Sequence, residues 1–204
     1  PRPTENVLIE DCTVYHAHGG FTIGSEMSGG VRNVRINNCV FIGTDIGLRF
    51  KTQRGRGGIV EKIYISNIRM TNIPTDAISF NMYYGGAAPE EETESTGEAP
   101  AAPVDEGTPQ FRDIYIEDVL CRGARRAIQL QGLPEMPLRG IQLRNIAITS
   151  TRGVVCQDAE DITLQSVDIS LRQGSVVEFI RSRHVEIDRL TYATSTISET
   201  ANLA

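Results

Sequence analysis

The chain has 204 residues, 40% hydrophobic and 23% charged, with a formal net charge of −6, four cysteines and no tryptophan. No apolar run approaches the roughly 20 residues that a membrane-crossing helix needs. No two cysteines form a CxxC pair, which argues against a disulfide scaffold and a cysteine zinc site.

In chain order, the first element is NVLIEDC at Asn6–Cys12, and close copies of it follow. They are NVRINNC at Asn33–Cys39, KIYISNI at Lys62–Ile68 and DIYIEDV at Asp113–Val119. Looser copies are GIQLRNI at Gly140–Ile146, DITLQSV at Asp161–Val167 and HVEIDRL at His184–Leu190. Their central aliphatics fall at 9, 36, 65, 116, 143, 164 and 187, in steps of 27, 29, 51, 27, 21 and 23 residues. Aliphatics alternate with other residues in each copy, and a period of two makes each copy a strand. Between the copies runs a second strand series: residues 20–24, 47–51, 77–81, 127–131, 153–157 and 176–180.

Self-similarity at this period marks a solenoid, in which each repeat buries its face only against its neighbours. Two or three strands in about 25 residues leave no room for a helix in each coil. Ile and Val dominate where a leucine-rich repeat would show Leu, and β-branched residues suit strands. The expected fold is all-β: a right-handed parallel β-helix of about seven coils, forming a single domain over residues 1–204. Cys12 and Cys39 share a repeat position, so they are expected to stack as free thiols on a buried ladder continued by Ile68, Val119 and Ile146.

The long step of 51 residues contains Gly85–Gln110, with seven acidic residues, four prolines and no Lys or Arg. These seven acids turn an otherwise +1 chain into a −6 one. The stretch has little to bury and is expected to be a flexible acidic loop at 85–110. A polar C-terminal tail is expected from about residue 191. The first strand begins almost at Pro1 with no capping element, so the chain is expected to be a fragment whose N-terminal coils are missing. Val7 and Ile9 would then lie exposed at an open edge that invites self-association.

The second strand series carries the candidate chemistry. Its inward residues are Phe21/Ile23, Leu48/Phe50, Ile78/Phe80, Ile128/Leu130, Val154/Cys156 and Val177/Phe179. The residues between them, Thr22, Arg49, Ser79, Gln129, Val155 and Glu178, should form one solvent-facing ladder of rungs about 4.8 Å apart. Arg49 and Lys51 point the same way at its polar end. His18 precedes the first of these strands among glycines that would let a ligand approach the backbone. The turn Gln53–Gly58 (QRGRGG) reads as a flexible basic turn suited to an anion.

His18-Gly19 with Phe21-Thr-Ile-Gly-Ser25, then Arg49-Phe50-Lys51, then Tyr84 together resemble the motifs of glycoside hydrolase family 28, the polygalacturonases and related pectin hydrolases. That resemblance implies His18 as an auxiliary catalytic residue that orients a carboxylate. It implies Arg49, Lys51 and Tyr84 (Tyr83 as the alternative) as substrate-binding residues, with Phe50 keeping the inward place of the family's Ile. It further implies an acidic plant polysaccharide, galacturonan, as partner, with no cofactor, metal, nucleic acid or membrane, and a secreted or periplasmic parent. The family's catalytic Asp motifs are absent: Asp11 and Asp45 lack their context, so the acid and base are expected upstream and this chain is expected to be inactive alone. Two alternatives stay open, a non-catalytic polysaccharide-binding β-helix of tailspike or adhesin type, and a pectate lyase. The lyase would need a calcium-binding carboxylate cluster, whereas the outward ladder offers only Glu178.

Overall fold

The computed structural model describes residues 2–84, 100–171 and 175–194, and these form strands, turns and connecting segments without a helix. Strands β1 (Thr4–Glu10), β2 (Thr13–Tyr15), β3 (Phe21–Ile23), β4 (Val31–Ile42) and β5 (Leu48–Lys51) build the first two coils. Strands β6 (Ile59–Asn81), β7 (Gln110–Gln131), β8 (Leu138–Gln157), β9 (Ala159–Leu171), β10 (Val177–Ile180) and β11 (Arg183–Thr194) complete the stack. Every pairing is parallel, in the order β1-β4-β6-β7-β8-β9-β11, with β3-β5-β6 and β8-β10 continuing the second strand series. The result is a right-handed parallel β-helix with, among the described residues, seven strands on its first face.

Register follows the repeat residue by residue. The central aliphatics Ile9, Ile36, Ile65, Ile116, Leu143, Leu164 and Ile187 pair in sequence. So do the inward residues Ile23, Phe50, Phe80, Leu130, Cys156 and Phe179 of the second series. Cys39, Ile68, Val119 and Ile146 form the expected buried ladder, but Cys12, in the end coil, is exposed and does not belong to it; Cys12 and Cys39 are free thiols. Phe50 is fully buried, with its ring stacked on Phe80 at 4.2 Å and Phe21 and Phe111 edge-on. Burying a side chain of this size contributes about 1.5–3 kcal/mol.

The corners between strands have a conformational cause that alternation does not reveal. Asn6, Asn33, Lys62, Asp113, Gly140, Asp161 and His184 all have φ between 51° and 63°, one per coil at the start of the motif. Asp11, Asn38, Asn67, Asp118, Asn145, Ser166 and Arg189 do the same at its end. Asn and Asp tolerate this left-handed region better than other non-glycine residues. Stacked corners also bond to one another: Asn33 Nδ2 donates to Asn6 Oδ1 (2.5 Å), Asn38 Nδ2 to Asp11 Oδ1 (2.6 Å) and Asn67 Nδ2 to Asn38 Oδ1 (3.1 Å).

Three expectations need correction. Val7 and Ile9 are half-buried, and Leu8 between them is the exposed side chain. At the other end Phe179 and Ile187 are 42% and 45% exposed, because the coil they belong to is covered from one side only among the described residues. The last strand runs on to Thr194, past residue 191. Of the acidic loop at 85–110, residues 85–99 lie outside the described residues. Its last part makes an ordered turn in which Asp105 Oδ1 accepts from Gly107 N (2.8 Å).

Candidate functional site

His18 lies in the turn between β2 and β3. Its position is set by coil-to-coil bonds on either side, from His16 N to Ile42 O (3.0 Å) and from Gly20 N to Ile46 O (2.9 Å). The neighbouring glycines are required by the stacking of the coils. A Cβ at Gly20 would meet the Phe41 ring at 2.4 Å, and one at Gly24 would meet Lys51 O at 1.8 Å.

Arg49 and Lys51 leave β5 on the same side and line one cleft with His18. The face is not the open ladder that alternation suggests. Arg49, Ser79 and Gln129 are only 2%, 4% and 7% exposed, while Thr22 and Glu178 at its ends are exposed. Rungs this close cover one another, and the residues flanking the strands, among them Asp45 and Thr75, wall the floor they make. The cleft also reaches further along the stack than expected, to Gln129 on β7. Arg49 is thus a buried cation and Lys51 a half-buried one.

Tyr84 joins them from the next coil. Its backbone N–H donates to Thr52 O (2.9 Å), which hooks it against the end of the Arg49–Lys51 strand. The Lys51 ammonium sits 4.2 Å from the Tyr84 ring centroid and the Arg49 guanidinium 5.6 Å from it, both within cation–π range. Tyr83, the alternative, faces elsewhere: its ring lies beneath Arg54 at 5.6 Å and its hydroxyl is buried. All four residues chosen from sequence therefore come together around one cleft.

The basic turn at 53–58 does not join them. Arg54 donates from Nε and Nη2 to Glu135 (2.6 and 2.8 Å), and Arg56 pairs with Glu26 at 2.5 Å. These ion pairs pin the turn to other coils, so its charges are committed within the chain and it is neither open nor arranged for an anion. The hydrogen bond from Arg54 holds the Glu135 carboxyl below the usual carboxylate range.

Two carboxylates in the cleft were given no role from sequence, Asp45 set aside for lacking a catalytic motif and Asp76 passed over. Asp45 accepts at 2.8 Å from, or shares a proton with, His18 Nδ1. It lies 27 residues on, one repeat step, and that spacing was the signal available for it. Asp76 lies on the floor, 2% exposed and 4.0 Å from Arg126. Burial pushes the Asp76 carboxyl up and the Arg126 guanidinium down, each only partly offset by the attraction between them. A Thr-Asp pair precedes both strands, at Thr44-Asp45 and Thr75-Asp76, but the register offsets the pairs by one residue. That offset turns Asp45 towards the rim and sends Asp76 inward.

Elsewhere Glu160, Asp161 and His184 come close enough to surround a cation. Glu160, however, already accepts from Arg139 (2.5 Å) and Arg183 (3.2 Å), which hold its carboxyl below the usual range. The cleft offers different chemistry: two cations, an aromatic face, a histidine, neutral amides at Asn81 and Gln129, and two carboxylates that face His18 and Arg126, a set whose cations can hold an anionic group.

Comparison with known proteins places the chain in a family. The family model described as "Glycosyl hydrolases family 28" matches residues 2–166. A "Probable polygalacturonase" from Vitis vinifera is 33% identical over 167 residues, which cover 79% of this chain and 32% of that protein. An "Exo-poly-alpha-D-galacturonosidase" from Dickeya chrysanthemi is 24% identical over 85% of this chain and 28% of its own length. The crystal structure of a hyperthermoactive exopolygalacturonase from Thermotoga maritima superimposes with a TM-score of 0.61 at 24% identity, over 91% of this chain and 35% of that one. The chain thus spans about a third of the length of the relatives it matches.

Proposed function

We propose, from the premise that this chain belongs to glycosyl hydrolases family 28, that it forms part of a pectin-degrading hydrolase and contributes the galacturonate-binding side of the active cleft. Lys51 and Arg49 hold the sugar carboxylate, Tyr84 supports both cations and offers its ring edge to the sugar, and His18 orients a catalytic carboxyl group. The general acid and the water-activating carboxylates come from a part of the parent protein that precedes this chain. Inverting hydrolysis needs two such carboxylates about 6.5–9.5 Å apart. In support, the two carboxylates that line the cleft among the described residues face other partners, Asp45 facing His18 and Asp76 facing Arg126. A polymer substrate of this kind implies an exported parent.

The observation that carries the proposal is the placing of Lys51 and Arg49 on one strand of one cleft, with the Tyr84 ring 4.2 Å from the ammonium. Calorimetric titration of the chain with trigalacturonate and with its methyl ester tests it. The acid should bind and the ester bind more weakly, and Lys51→Ala should weaken the acid roughly ten- to a hundredfold, the usual loss for a charge-assisted contact. Equal affinity for acid and ester, or an unaffected Lys51→Ala, would overturn the assignment. Reducing-sugar release from polygalacturonate by this chain alone would overturn the placing of acid and base outside it.

A further inference from the structure

The structure assigns Asp45 as a positioning residue for His18: its carboxylate accepts a hydrogen bond from Nδ1–H, which keeps the proton on Nδ1 and leaves Nε2 as the free, proton-accepting nitrogen of the ring. The observation is the 2.8 Å contact between His18 Nδ1 and Asp45 Oδ2 across one coil step. An ionised carboxylate can only accept, so a neutral imidazole facing it must carry its proton on Nδ1. Which nitrogen of a histidine is protonated is set by the bond the other one makes.

An exposed ion pair is often incidental, and both side chains here are about half exposed, at 54% and 46%. Two features set this one apart. The Asp45 backbone is fixed from both neighbouring coils. Its N–H donates to Ala17 O (2.9 Å), directly before His18, and its carbonyl accepts from the Thr75 backbone N–H (3.1 Å) and from the Thr75 hydroxyl. Both partners also line the cleft that holds Arg49 and Lys51. The carboxylate is thus delivered to the ring by the register of three coils, and what it fixes is a tautomer and a ring orientation, which require little stabilisation energy.

For function, this inference rests on the reading of the cleft as a galacturonate site. There a fixed Nε2 acceptor takes a hydrogen bond from a sugar hydroxyl or from the acid form of a catalytic carboxyl. The positioning itself can be measured without any ligand. Nitrogen-15 NMR of the full chain, at a pH well above the ordinary imidazole range, reports which ring nitrogen of each histidine bears the proton. His18→Gln identifies the His18 signal, and His16 and His184 serve as internal references.

In the parent, the His18 proton should sit on Nδ1. In Asp45→Ala it should move towards Nε2, with the other two histidines and the backbone spectrum unchanged away from the cleft. If Asp45→Ala fails to fold, Asp45→Ser, too short to reach the ring, gives the same reading. A His18 proton on Nε2 in the parent, or a tautomer that ignores either substitution, would overturn the inference. Trigalacturonate titration of the same samples separates the two claims: a tautomer that moves in a chain that binds no trigalacturonate upholds the positioning and refutes the substrate.

Discussion

Asp76 and Arg126 show how an ion pair can be present and still be poorly accommodated. Their charged atoms are 4.0 Å apart, both side chains are nearly buried, and Asp76 Oδ1 has no hydrogen-bond partner among the described residues. Asp76→Asn, which removes the carboxylate facing Arg126, should cost about 3 kcal/mol in urea unfolding. Asp76→Leu combined with Arg126→Leu should cost less than that single change, because desolvation exceeds attraction here. A double variant worse than the single one would show the pair to be net stabilising. Glu135 works the other way. Arg54 depresses its carboxyl, so its contribution is present above the ordinary value of 4.5 and lost as pH falls through the depressed one. Glu135→Gln should therefore be less stable than the parent at pH 7 by about 1 kcal/mol, a modest figure because Arg54 is 35% exposed and solvent screens the pair. The gap should close as thermal melts are taken progressively below pH 4.5.

At the scale of the strand and its corners, the polar pairs that end each motif carry the turns. Asn67 has φ 56° and bonds to Asn38 in the coil before. Asn67→Ala should destabilise by about 1–2 kcal/mol, since a Cβ beyond the tolerant types strains the left-handed region. Asn67→Gly should cost less, losing the side-chain bond but keeping the backbone free. That order inverts the usual advantage of Ala over Gly inside regular structure, and chemical denaturation of the two variants decides it. The motif was legible as a strand because aliphatics alternate. Its corners were not, because Asn or Asp after a strand is equally common in any turn, and only the stack shows the same φ recurring at one position in every coil.

For the whole molecule, stability should follow position in the stack. A coil in the middle is covered on both sides, and one at an end on one side only. Amide hydrogen exchange should accordingly be slowest in β6, β7 and β8 and fastest in β1 and β11, with β4 and β9 between. Uniform protection from β1 to β11 would mean that the stack opens as one unit.

The repeat by itself determined the class of fold, the number of coils and the register, because a period of two and a step near 27 residues leave few ways to bury Ile9, Ile36 and Ile65 together. The resemblance to the family's motifs, not the repeat, marked His18, Arg49, Lys51 and Tyr84. What neither could set was depth and partnership. Arg49 reads as outward on any alternating strand, and only the flanking segments and neighbouring rungs make that face a buried floor. Arg54 and Arg56 read as free charge until Glu135 and Glu26 arrive, the first from 81 residues away. Asp45 and Asp76 look alike in sequence, and a one-residue offset between stacked coils gives the first to His18 and buries the second, since side-chain direction on a strand reverses with every residue.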